Sequence, residues 1–232
     1  MVADIETLIV QSNRMFEQVL PLRSLQQEIA ENFYPELANF TQTNYLGKAF
    51  ASHLTTSFPM TVSRGLANIF STMLRPQEKL WGKMSVRNYS SLGEDSKRWL
   101  EWGTLLHRNA LYDQDSGFAR ATSQADRDVA TFGQTVISCE MNWRKSALLF
   151  RNWHLRDVVW NENPDGKVGR VDRKWKPCIT DLNLNFKGNI SPKLKEKMAK
   201  EPYAEVDVRH IFIPIEQYDN GKGWHKNKRF KY

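Results

Sequence analysis

Apolar residues recur at helical spacing through the first half of the chain and at strand spacing through the second. Ile5, Leu8, Ile9, Ser12, Phe16 and Val19 lie on one side of a first helix, which Pro21 kinks or ends. Leu25, Ile29, Ala30 and Phe33 share a side of a second piece, stopped at Pro35. Residues 39–58 mix Thr, Asn and Gly and predict loop or short strand. Val62, Leu66, Ile69, Phe70 and Met73 form an amphipathic stripe over 59–74, and Arg75-Pro76 terminates that helix. Residues 77–86, with Trp81 and Met84, predict an extended return. Ser91-Leu92-Gly93-Glu94 fits a capping box for a helix reaching about Tyr112. Trp99, Trp102, Leu106 and Ala110 make its apolar side. Asp115 or Ser116 caps a further helix carrying Phe118, Ala121, Ala125, Val129 and Phe132, and Gly133 suits its left-handed end.

The period then falls from 3.6 to 2. Ile137, Cys139, Met141 and Trp143 alternate with Val136, Ser138, Glu140 and Asn142. Residues 144–146 turn the chain and 147–152 pair back. Val158, Val159 and Trp160 lead into Asn163-Pro164-Asp165-Gly166, and 167–175 lead out. Proline presets φ and glycine accepts positive φ, so this is a hairpin signal. The returning strand is polar, which predicts a ribbon with at least one face in water. Residues 179–186 suggest a short helix. Ser191-Pro192 starts another, with Leu194 and Met198 inward, that ends at Glu201-Pro202. Val206, Val208, His210 and Phe212 alternate in a last strand.

Helices first and strands second predict an α+β fold rather than alternating β-α units. The divisions expected are a mainly helical part over 1–133, a β-hairpin-rich part over 134–216 and a basic segment over 217–232. With 232 residues, 41% hydrophobic, eight Trp and twelve Phe, the chain has material for a real core. No run reaches the length of a membrane span, and the acids Asp4 and Glu6 argue against a secretion signal. The two cysteines, Cys139 and Cys178, read as free thiols in a reducing compartment.

The formal charge is +7, which permits a polyanionic partner. None of the five His residues sits in a metal-ligand spacing, and no C-x-x-C occurs. His154 and His210 read as structural strand histidines, and Cys139 as a buried, inert thiol. Asp126 and Asp128 are too close in helix register to share a face, and Asp157, Asp165 and Asp172 read as solvated or turn residues. No phosphate-binding glycine loop, nucleophile elbow or dinucleotide fingerprint is present. No catalytic, cofactor-binding or metal-ligating residue is therefore assigned. Basic residues remain: Arg144, Lys145, Arg151, Arg156, Lys167, Arg170, Arg173, Lys174 and Lys176, interleaved with Trp143, Trp153, Trp160 and Trp175. Stacking rings among cations suit single-strand binding. Alternating tryptophans with solvated cations suit a core or subunit interface better.

The order of elements resembles the portal proteins, the head-to-tail connectors of short-tailed bacteriophages. The resemblance rests on Asp165-Gly166, then Val171-Asp172-Arg173-Lys174-Trp175, then 179–186, then Val208-Arg209-His210-Ile211-Phe212-Ile213-Pro214. It extends to the helix ending in Leu74-Arg75-Pro76, followed by the aromatic Trp81. It implies the wing region of a portal subunit. Such subunits close into rings, typically of twelve, at one capsid vertex. The ring nucleates the prohead and docks the terminase motor. It passes double-stranded DNA in and out through non-specific phosphate contacts and holds the tail. Capsid, scaffold and tail adaptor proteins are the other implied partners. The implied place is the portal vertex of the virion, after assembly in the host cytoplasm. Family chains are about twice as long, so stem and clip are expected beyond Tyr232 and the chain reads as a fragment. Lys226, Lys228, Arg229 and Lys231 would then lie toward the stem and touch DNA. A hydrolase or nuclease with an unrecognised metal site and a channel-less capsid or tail adaptor are the alternative readings.

Overall fold

The computed structural model describes residues 5–43, 45, 47, 51–76, 78–142, 144–186 and 190–214. The order of elements is α1 (Ile5–Gln18), α2 (Leu20–Phe33), α3 (Phe58–Leu74), α4 (Glu94–Leu111), α5 (Phe118–Phe132), β1 (Val136–Met141), β2 (Leu148–Trp153), β3 (Val158–Glu162), β4 (Val168–Trp175), α6 (Ile179–Asn185), α7 (Pro192–Lys200) and β5 (Val208–Phe212). This is the α+β arrangement of helices followed by antiparallel sheets. Two compact units share these elements: residues 1–23 with 154–232, and residues 24–153.

In the unit of 24–153, α5 is the central element. It packs on α3 and on the β1–β2 hairpin. Ala121 and Ala125 are buried there, small enough for close approach, and Phe118 is buried among aromatic rings. Phe150 lies edge-on to Phe118 at 5.1 Å, Tyr112 edge-on at 5.5 Å, and Trp81 stacks at 6.3 Å. Trp81 is thus the aromatic that packs down after α3, and its indole also donates to the Tyr112 hydroxyl at 3.1 Å. Gly117 takes φ +63° and Gly133 φ +72° at the two ends of α5. After α2 the chain is irregular yet buried at Tyr34, Ala38 and Phe40. Gln27 makes this possible. Its amide donates to the Ala38 carbonyl, and its oxygen accepts from Phe40 N at 2.7 Å and Thr41 N at 3.2 Å.

In the other unit the strands run in the order β3-β4-β5, all antiparallel. Gly166 takes φ +71° in the β3–β4 turn, and Asn163 N donates to Lys167 O at 2.7 Å. The register shifts near Asn161 and Glu162, a bulge beside the turn. Ile179 and Leu182 bury the inner side of α6. Ser191 caps α7 by accepting from Leu194 N, with Pro192 in the first turn. Arg170 joins α1 to β4, donating to the Leu8 carbonyl at 3.0 Å and to Gln11 at 2.7 Å.

Several local expectations are corrected. Ser91 closes a 3₁₀ turn of its own, and α4 starts after Gly93 with no side-chain cap. Gly117 stands at the cap position of α5, while Ser116 accepts from Phe118 N and donates to the Leu111 carbonyl. The chain breaks between α1 and α2 at Val19, as the kink or end expected at Pro21 requires, and Pro21 itself lies in the first turn of α2. His154 is not in a strand: its Nδ1 caps a 3₁₀ turn by accepting from Arg156 N at 3.0 Å. Cys139 is exposed, because the Ser138 side of β1 is the inner one. Asp126, Asp128 and Asp172 are buried. In β4 the two most covered residues are charged: Arg170 and Asp172 are enclosed while Val168 and Lys174 are exposed. An ionised pair tolerates such a place only when each partner satisfies the other.

Candidate functional site

The sequence points to two groups of cations. Lys226, Lys228, Arg229 and Lys231 lie outside the described residues, as does Trp143. The strand-region cations divide between the two units and are largely engaged. Arg170 forms a two-point ion pair with Asp172, both bonds at 2.7 Å. Arg156 pairs with Asp157 at 2.9 Å and Lys176 with Asp207 at 3.3 Å. Arg173 sits over the Trp175 ring. Trp153 is buried and Trp160 and Trp175 are half-buried, so they serve packing more than base stacking. Arg23, which no sequence pattern singles out, is enclosed and donates to the Val158 carbonyl at 2.6 Å, and burial draws its pKa down to about 10.

Catalytic geometry is sparse. Among the described residues no group of three or more His, Cys, Asp and Glu side chains is placed to hold a metal ion. A cleft of about 190 Å³ lies between residues 80–84 and α4, and His107, Arg108 and Lys83 are its ionisable lining. Among the described residues no carboxylate lines it. Among the described residues Asp128 is the most perturbed acid: burial pushes its pKa up to about 6, against the opposing pull of the Asn152 hydrogen bond and Arg127. Asn152 donates to it at 2.6 Å and accepts from Thr135, which ties α5 to the hairpin. That is a structural chain inside one unit.

The unusual surface is apolar. Of the stripe expected to bury α3, Val62, Leu66, Ile69 and Met73 face outward, Met73 by 76%, and Phe70 is half-buried; Phe58 at the start of the helix is exposed as well. The side that packs on α5 is made of Ser63 and Ala67, with Ser63 bonded to Thr131 at 2.9 Å. In α4, Trp99 and Trp102 stay 59% and 58% exposed, beside Leu105 and Leu106. Leu100, Gly103, Thr104 and Leu111 are the buried ones, and Thr104 accepts from Met84 N. In α2 likewise Leu22, Leu25 and Phe33 are exposed while Arg23, Gln26, Gln27 and Ala30 are covered. A single exposed leucine needs no explanation, but stripes of this length mark interaction surfaces.

Residues 6–232 match the family model described as bacteriophage head to tail connecting protein. The chain belongs to that family. No curated protein matches it. The connector is thus a structural phage protein of the capsid–tail junction, with capsid and tail proteins as its neighbours. Its exposed apolar helices fit a life spent in contact with other proteins of that junction. In sequence they look like ordinary core stripes, because a periodic pattern names a face and not what covers it.

Proposed function

We propose that this connector is a portal subunit of the short-tailed phage type. Its subunits close into a ring of about twelve around a channel for double-stranded DNA. The ring serves packaging and ejection, and it meets the terminase motor, the scaffold and a tail adaptor. The carrying observation is the pair of outward apolar stripes on α3 and α4. Two different stripes on one subunit supply the two halves of a head-to-tail contact. A heterologous contact of that kind closes into a ring when its rotation fits. The mechanism is geometric: a ring gives a channel, and weak phosphate contacts let duplex slide without reading sequence.

Electron microscopy of the purified protein tests this. Closed rings of about a dozen subunits with a duplex-wide hole support it. Closed rings without a hole favour the adaptor reading, and monodisperse single subunits overturn the ring. The basic segment supplies phosphate contacts in this reading, through Lys226, Lys228, Arg229 and Lys231. Changing all four to Gln lowers the slope of log binding constant against log salt by about 3 to 4. An unchanged slope removes those residues from the DNA path.

A further inference from the structure

Lys174 and Arg209 are direct partners in the β4–β5 ladder. Opposed residues of an antiparallel pair share one face of the sheet, and like charges there are destabilising. Both cations reach the same ring of α1. Lys174 Nζ lies 4.0 Å and the Arg209 guanidinium carbon 5.0 Å from the centre of Phe16. The ring offsets part of the repulsion, and Asn13 Oδ1 accepts from Arg209 at 2.7 Å. Among the described residues neither cation has a carboxylate within ion-pair distance. Of the nearby acids, Asp172 is engaged with Arg170, Asp157 with Arg156 and Asp207 with Lys176, while Glu17 acts on Lys174 from beyond ion-pair distance. Desolvation, then Arg209, pulls the Lys174 pKa down, and desolvation lowers that of Arg209. Two positive charges therefore share one partly covered face with no carboxylate in direct contact with either.

We propose that Lys174 and Arg209, with Asn13 beside the Phe16 ring, form a binding site for a phosphate group. With Oδ1 of Asn13 engaged, its amide N–H groups remain as donors. A phosphate group has enough oxygens to meet an ammonium and a guanidinium together, and as the free ion it carries more charge than one carboxylate. It is either free phosphate or the phosphodiester of a nucleic acid. All four residues lie in one compact unit, so the site stands independently of ring assembly.

The test compares the full chain with K174E, which sets a carboxylate against Arg209 in place of the ligand. Lys174 is exposed, so the substitution alters its contact with the Phe16 ring and the charge facing Arg209 and leaves the rest of the packing in place. Sodium phosphate, at about five times its Kd, raises the wild-type Tm by roughly 2–4 °C over sodium chloride of equal ionic strength. K174E melts higher without ligand and loses the phosphate response, and the comparison cancels the general stabilisation by phosphate salts. A labelled duplex of arbitrary sequence identifies the source. A smaller salt slope in K174E assigns the phosphodiester. An unchanged slope with a lost phosphate response assigns free phosphate. Equal phosphate responses together with equal slopes overturn the site. So does a K174E effect seen only on ring assembly, which would assign the pair to a carboxylate of a second copy.

Discussion

Single residues show where charge has moved inside. Asp172 is 0% exposed and satisfied by Arg170. Asp172→Ala strands a buried guanidinium between α1 and β4, and a loss of about 3–5 kcal/mol is expected in urea unfolding. Asp128 gives a pH signature. Its folded pKa, about 6, lies above the ordinary value of 3.8, so the folded chain holds the proton more tightly. Stability is then greatest below the lower value and falls as pH rises through the window between them. The full penalty above about pH 6 is on the order of 3 kcal/mol. Asp128→Asn keeps an acceptor for Asn152 and removes the charge. The variant gains stability at pH 7 and little at pH 4, which unfolding curves at the two pH values will show. Neither role is legible from sequence. Asp126, Asp128 and Asp172 look like surface acids until the chain brings Arg75, Asn152 and Arg170 to them.

Elements are legible where local chemistry decides them. The turn at Asn163–Gly166, the Ser191-Pro192 start of α7 and the left-handed Gly133 all follow from backbone preference over four or five residues. The start of α5 lies one position past the expected cap. Gly117 there combines φ +63° with a position where an added Cβ would stand 3.3 Å from the Phe150 carbonyl oxygen. Gly117→Ala therefore costs about 1–2 kcal/mol in conformation alone. The same change at Gly93, with normal φ and open space, is close to neutral. Thermal melts of the two variants give the comparison. The faces of α3 and α4 depart from the sequence pattern for a different reason. Helical periodicity tells only that a helix has an apolar side, and Ser63 and Ala67 show that close packing on α5 takes small residues instead.

The whole molecule is arranged out of chain order, since residues 1–23 belong with 154–232 while 24–153 form their own unit. Its apolar stripes make the prediction that belongs at this scale. Ile69→Glu with Met73→Glu changes two exposed positions of α3. Stability of the single subunit shifts by less than about 0.5 kcal/mol per site, while the proposed ring assembly is lost, as light scattering of wild type and variant will report. Retained rings would assign closure to other surfaces. Sequence alone determined the α+β class, the hairpins, most helix limits and, through the order of strand motifs and the match over residues 6–232, the connector family. These depend on contacts within a few residues or on a pattern spread along the chain. Tertiary structure alone decided which side of each helix is covered, that Arg170 and Asp172 are enclosed, and that Lys174 faces Arg209 across Phe16. Those outcomes join residues separated by up to 196 positions, as in the bond from Arg209 to Asn13, and no local preference carries such a pairing.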